Sequence, residues 1–162
     1  MNHQSSAVGR HPDQVSQRPY ILLVDDNPLD IELTLLALAE HGLHEQVLVI
    51  DHGQEALDFL QAASGPNGRW DGLPSLILLD LNMPGVSGAE ILKQIRNQSV
   101  TRRLCVVILS SSDLPQDHAA CETADAYLIK PLRLEQFIQV VGEVLCTILS
   151  AVSPAPPRRA QD

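Results

Sequence analysis

The sequence predicts a doubly wound α/β domain, with one parallel sheet covered by helices on both faces. Three observations predict it. Five short apolar runs alternate along the chain with longer stretches of helical spacing, the pattern of βα units around a parallel sheet. The runs are continuously apolar, as strands buried on both faces require. Polar residues stand where the runs end, namely Asp25, Asp26, Asp80, Ser110 and Lys130. In open α/β sheets those carboxyl ends are where ligands bind.

Each element follows in turn. Residues 1–18 mix Gln, Ser, His, Pro and Arg with almost no apolar content, and read as a disordered arm. Residues 20–24 form the first buried strand, ending in Asp25 and Asp26. A helix is expected over 28–40, carrying Leu29, Leu33, Leu36 and Ala37 at helical spacing. Asn27 is its N-cap, Pro28 its first residue and Gly42 its stop. Residues 46–50 read as the second strand, and 53–63 as a helix with Ala56, Leu57 and Leu60 inward. The Gly- and Pro-rich stretch 64–74 is a long surface loop. Residues 75–79 form the third strand, ending in Asp80; 89–97 form a helix whose apolar face is Ile91, Leu92 and Ile95. A fourth strand over 104–109 ends in Ser110. A short helix around 116–123 leads to a fifth strand, 126–129, ending in Lys130 and Pro131. Residues 134–149 form the last helix, and 151–162 a disordered Pro/Arg tail.

Composition narrows the function. The chain has 162 residues, 44% hydrophobic and 19% charged, which suits one globular domain with a sizeable core. Aromatics are 3% and the net charge is −9, so base stacking and counterion-driven nucleic-acid binding are disfavoured. Three widely spaced cysteines (Cys105, Cys121 and Cys146), with no secretory signal and no membrane-length apolar run, fit reduced thiols in a cytoplasmic protein.

The strand-end residues carry the chemistry. Three carboxylates on one sheet edge repel unless a cation offsets them. Mg²⁺ suits such a site, taking few protein oxygens and keeping several waters. Asp26 and Asp80 are the candidate direct ligands; Asp25 acts through a bound water, and the Asn82 backbone carbonyl adds a further oxygen. With no GxxxxGK[ST] cradle for a nucleoside triphosphate, the remaining use of Mg²⁺ is to make Asp80 a nucleophile that forms an acyl phosphate. Lys130 would pair with the phosphoryl group, Ser110 would bond one of its oxygens, and Tyr127 would report the event. Taken singly, each aspartate reads more readily as a cap or turn residue, and Tyr127 equally as a half-buried strand residue.

These motifs, in this order, resemble the response-regulator receiver family of two-component signalling. The resemblance covers residues 19–150. It rests on Ile-Leu-Leu-Val-Asp-Asp at 21–26, Leu-Ile-Leu-Leu-Asp-Leu-Asn-Met-Pro-Gly at 76–85 and Tyr-Leu-Ile-Lys-Pro at 127–131. It implies a flavodoxin-like (βα)5 fold with strand order 2-1-3-4-5. It also implies Asp80 as phosphoacceptor, Asp25 and Asp26 as the acidic pair, Ser110 and Tyr127 as switch residues and Lys130 as the conserved-type lysine. A tight turn near Gly88 and a cis Lys130–Pro131 bond belong to the same pattern. Ser110 stands where Thr is common, and Leu132 where an aromatic residue is frequent. The segment Val-Asp-Asp-Asn-Pro-Leu-Asp at 24–30 and the long 64–74 loop are similar to single-domain receivers that partner phytochrome-type histidine kinases.

The implied partner is therefore a sensor histidine kinase or phosphotransfer protein, with no direct nucleic-acid or membrane contact and no enzymatic turnover of its own. No second domain is expected after Leu149. Output then passes through another molecule or through a homodimer formed by the apolar last helix (Val140, Val141, Val144, Leu145 and Ile148). Two alternatives stand beside this: a Mg²⁺-dependent phosphohydrolase, which would want an Asp where Asn82 stands, and an interaction module with a degenerate site. Ser111 reads as a small residue lining the phosphate entrance, while Ser112 and Asn82 tune water access. His41 and His44 lack the further ligands of a zinc site. The cysteines read as core packing. Trp70 either anchors a partner or folds back over the sheet edge.

Overall fold

The computed structural model describes residues 19–63, 72–133, 135–142 and 146. The arm and tail for which the sequence suggests disorder, Trp70, and most of the 64–74 loop lie outside these residues, as do Val144, Leu145 and Ile148. Five parallel strands form one sheet: β1 (Ile21–Val24), β2 (Val47–Ile50), β3 (Leu76–Asp80), β4 (Cys105–Ser110) and β5 (Ala126–Ile129). Their order is β2-β1-β3-β4-β5, as the family resemblance implies. Helices α1 (Pro28–Ala39), α2 (Gly53–Ala63), α3 (Gly88–Asn97) and α4 (Pro115–Ala120) follow the first four strands, and a single 3₁₀ turn, His44–Gln46, precedes β2. Residues 135–142, here α5, are helical.

The sheet alternates its side chains between two cores, and this is why its strands read as continuous apolar runs. Leu22, Val24, Ile77, Leu79, Val106 and Ile108 face α2 and α3, meeting Ala56, Leu57, Leu60, Ile91, Leu92 and Ile95. Ile21, Leu23, Leu76, Leu78, Val107, Leu109 and Leu128 face the other way, onto Leu38 of α1 and Phe137 and Val141 of α5. Leu132 is buried in that second core, in the same cluster as Phe137. Phe137 is fully buried, so Phe137→Ala is expected to cost roughly 3–5 kcal/mol, read as a lower urea midpoint with an unchanged slope.

Local chemistry sets the helix ends. The Asn27 side chain accepts from the Leu29 and Asp30 amides, Pro28 takes the first helical position and Gly42 adopts φ +69 after α1. Ser87 caps α3 by accepting from the Glu90 amide at 3.2 Å. The fourth helix starts one residue earlier and ends three sooner than expected, at Ala120.

The face of α1 differs from the simplest reading of its leucines. Leu29 is 62% and Leu36 58% exposed, and Leu33 is also exposed, whereas Thr34 and Leu38 are buried. Ile31, Leu35 and Ala37 pack partly against the core. The helix is apolar on nearly every side, so spacing alone does not choose the inward stripe.

Arg96 ties three segments together. Its guanidinium donates to the Thr123, Arg102 and Leu104 carbonyls and pairs with Asp125 at 3.0 Å, while Asp125 also accepts from the Val106 amide at 2.7 Å. The entries to β4 and β5 are thereby fixed to the end of α3, which sets where the far ends of those strands emerge.

Candidate functional site

The carboxyl edge of the sheet gathers the predicted residues. Asp25 and Asp26 follow β1, Asp80 ends β3, Ser110 ends β4 and Lys130 follows β5. Main-chain bonds join these ends: the Leu81 amide donates to the Leu109 carbonyl, and the Lys130 amide to the Ser110 carbonyl at 2.8 Å. The Lys130–Pro131 peptide is cis.

Lys130 is the hub. Its Nζ lies 2.7 Å from Asp25 Oδ2, 3.0 Å from Asp80 Oδ1 and 3.0 Å from Asp30 Oδ2. Asp25 is fully buried and Asp80 nearly so. Asp25 spends its other oxygen on the Asn27 amide at 3.0 Å, which locks its rotamer. Burial pulls the Lys130 ammonium down, but hydrogen bonds to Asp25, Asp30 and Asp80 outweigh it and hold the group above its usual range.

The site carries more negative charge than Lys130 offsets. Asp25, Asp26 and Asp80 offer oxygens that all lie within 4.8 Å of one another, the sole such cluster among the described residues. Hard oxygen donors with one partly exposed member fit a divalent cation that keeps part of its water shell. His41 and His44 join no such group. Asn82 is exposed in the loop after β3, between the buried anchors Leu81 and Met83.

Asp80 shows the strain of this crowding. Burial above all, then the Asp25 and Asp26 charges, push its carboxyl from 3.8 to about 6, against the opposing Lys130 contact. A carboxyl raised in the folded state binds its proton more tightly there than in the unfolded chain. The metal-free protein therefore gains stability from Asp80 as pH falls from about 6 toward 4, and loses it as pH rises through that window. Added Mg²⁺ is expected to stabilise the protein at pH 7 and to do so less below pH 6, because proton and cation compete for the same oxygens. Urea midpoints at pH 5 and 7, with and without Mg²⁺, check both signs.

Gly88 shapes the floor. A side-chain carbon there would lie 2.2 Å from the Asp80 carbonyl oxygen and 2.8 Å from Leu81 Cα. The bare glycine lets α3 start against the end of β3, with its amide donating to the Leu81 carbonyl at 2.9 Å.

Ser110 and Tyr127 sit on the β4–α4 side. The buried Ser110 hydroxyl accepts from the Ser112 amide at 3.1 Å. The Tyr127 hydroxyl donates to the Ser112 carbonyl at 2.8 Å. Burial pushes the Tyr127 phenol up, and a hydrogen bond with Ser110 opposes that shift. Ser112 thus touches both residues, with its amide on one and its carbonyl on the other. Its hydroxyl donates to Asp117 at 2.5 Å. These bonds give Ser112 a structural place between the two residues. Ser111 is exposed beside it.

Two participants escape the strand-end rule. Asp30 reaches Lys130 from the first turn of α1, where an acidic residue reads as dipole complement. His118 of α4 stacks on Tyr127.

Comparison with known proteins identifies the family. A response regulator receiver domain model matches residues 21–142, which include every one of these residues. The chain belongs to that family. The receiver is 36% identical over 126 residues to the probable methanogenesis regulatory protein FilR2 of Methanothrix harundinacea (strain 6Ac), covering 76% of this chain and 79% of that one. Among solved structures it resembles the bacteriophytochrome response regulator AtBRR, with 40% identity, a TM-score of 0.67 and coverage of 78% and 91%. It also resembles the phosphorylated cyanobacterial phytochrome response regulator RcpA, with 32% identity, a TM-score of 0.65 and coverage of 86% and 99%. Among the described residues of this receiver, no helix is long and apolar enough to cross a membrane.

Proposed function

We propose that this receiver accepts a phosphoryl group on Asp80 from a phosphohistidine of a sensor kinase or phosphotransfer protein, and passes the change to another molecule. The observation that carries the reading is the placement of Asp80 Oδ1 at 3.0 Å from Lys130 Nζ inside the aspartate cluster. A carboxylate nucleophile beside a fixed cation and a metal-capable acidic pair is the equipment for acyl phosphate formation.

In that reaction an Asp80 oxygen attacks phosphorus in line, the P–N bond to the donor imidazole breaks, and the imidazole leaves by taking up a proton. Asp25, Asp26, Asp80 and the Asn82 carbonyl would hold Mg²⁺, which neutralises charge on the transferring oxygens when bound. Lys130, already shared among three carboxylates, exchanges part of that contact for a phosphoryl oxygen. Ser110 gives up the Ser112 amide to bond another oxygen, and Tyr127 and the α4–β5 surface rearrange with it. Hydrolysis of the acyl phosphate returns the resting state.

The phytochrome response regulators AtBRR and RcpA support a phytochrome-type kinase as donor. Self-association is supported by Ile138 and Val140, exposed on α5, and by the exposed leucines of α1 on the same side of the sheet.

Incubation with acetyl phosphate and Mg²⁺, followed by intact mass, tests the reading. A single stable adduct of one phosphoryl group is expected. Steady turnover without adduct would indicate a phosphohydrolase, and no reaction a degenerate module. Sedimentation that shows only monomer, with and without phosphate, removes the dimer.

A further inference from the structure

The proposed switch pair, Ser110 and Tyr127, has a neighbour with no assigned role. His118, in the six-residue helix α4, lays its ring on that of Tyr127 with centroids 3.8 Å apart and planes 25° from parallel. Its Nε2 lies 2.7 Å from Asp113 Oδ1, so a loop carboxylate orients the imidazole and keeps the stack in place. The other end of Tyr127 is held as well, its hydroxyl donating to the Ser112 carbonyl at 2.8 Å. Ser112 in turn is fixed by its hydroxyl bond to Asp117 and by its amide bond to the Ser110 hydroxyl. Ring, loop peptide and serine therefore form one connected unit. The tyrosine cannot turn without sliding past the imidazole, and the serine cannot leave without breaking its bond to Ser112.

We propose that His118 is a positioning residue: oriented by Asp113, it clamps Tyr127 against the β4–α4 loop and so holds Ser110 back from the phosphoryl site. The inference rests on the reading of Ser110 and Tyr127 as the switch. Its consequence is a resting bias built into α4, a surface element, so that whatever touches α4 acts on Asp80 chemistry through the ring stack.

The chain has two tyrosines, Tyr20 and Tyr127, which makes the clamp directly visible. In ring-labelled tyrosine NMR of the phosphate-free protein, Tyr127 is expected to show the ring-current shift of a stacked imidazole. His118→Ala should remove that shift and leave Tyr20, bonded to the Gly72 carbonyl, unmoved. His118→Phe, which keeps a ring without the Asp113 bond, should restore most of it. With acetyl phosphate and Mg²⁺, His118→Ala should form the adduct about three-fold faster, an effect on the scale of one lost ring contact, and His118→Phe should return toward the wild-type rate. His118 is substantially exposed, so the fold tolerates both changes.

An unchanged Tyr127 resonance in His118→Ala overturns the clamp, whatever the adduct kinetics. A shifted resonance with unchanged kinetics overturns the coupling to Ser110. If the wild type forms no adduct at all, the phosphoacceptor reading fails, and the resonance in the phosphate-free protein still decides the clamp.

Discussion

Asp80→Asn is expected to abolish phosphoryl uptake while making the metal-free protein more stable at pH 7. The amide keeps the size of the carboxyl and can still accept from Lys130, so the fold survives, but it has no anionic oxygen to attack phosphorus. The loss should be on the order of 100-fold or more in adduct formation. The gain in stability has a separate origin. Burial and the Asp25 and Asp26 charges raise the Asp80 carboxyl to about 6, so holding it ionised at neutral pH works against the folded state. A neutral residue relieves that repulsion, and the relief should vanish near pH 4, where Asp80 is already protonated. Mg²⁺-dependent stabilisation should shrink in the same variant, because one oxygen donor of the cluster is gone. Adduct mass and urea midpoints at pH 4 and 7 give the two readouts.

Gly88→Ala should damage the site without touching any charged group. The new carbon would meet the Asp80 and Leu81 main chain at 2.2 to 2.9 Å, and backbone atoms cannot swing aside as a flexible side chain would. Either α3 backs away from β3 or the end of β3 shifts. Overpacking of this kind costs roughly 1–3 kcal/mol, occasionally more. A displacement approaching 1 Å at a reacting group can cost about 100-fold in rate. The expected result is a folded but less stable protein with much weaker Mg²⁺ binding and adduct formation. Gly42→Ala is the informative contrast. It strains a positive φ of +69 but meets nothing within 4 Å, so it should lower stability and leave the chemistry intact.

The sheet was legible because its chemistry is simple. Ile21–Val24 and Leu76–Asp80 are buried along their whole length, and two-sided burial leaves no polar alternation to misread. Strand order was not written in the runs themselves and came from the motif resemblance. The meeting of Asp25, Asp80 and Lys130 was visible, despite a separation of 105 positions between Asp25 and Lys130, because all three close apolar strands on one parallel sheet edge.

What lay between elements was not legible. Asp30 sits three residues past a helix cap, where acids are ordinary, and its contact with Lys130 depends on the angle at which α1 leaves β1. The inward face of α1 was hidden by leucines on several sides of the helix. Tyr127 meets His118 nine residues upstream only because the turn after α4 brings the helix back over β5. Arg96 finds Thr123, Arg102, Leu104 and Asp125 through loop geometry that no spacing rule encodes.

Whether Asp80 takes the phosphoryl group is decided by finding the residue that carries it. The most direct measurement is to phosphorylate the protein with acetyl phosphate and Mg²⁺, reduce it with borohydride, which converts an acyl phosphate to an alcohol, and map the altered residue by peptide mass. Reduction is expected at position 80 alone, dependent on Mg²⁺ and absent from Asp80→Asn. Phosphate found on a serine, threonine or histidine instead, or reduction that persists in Asp80→Asn, would contradict it.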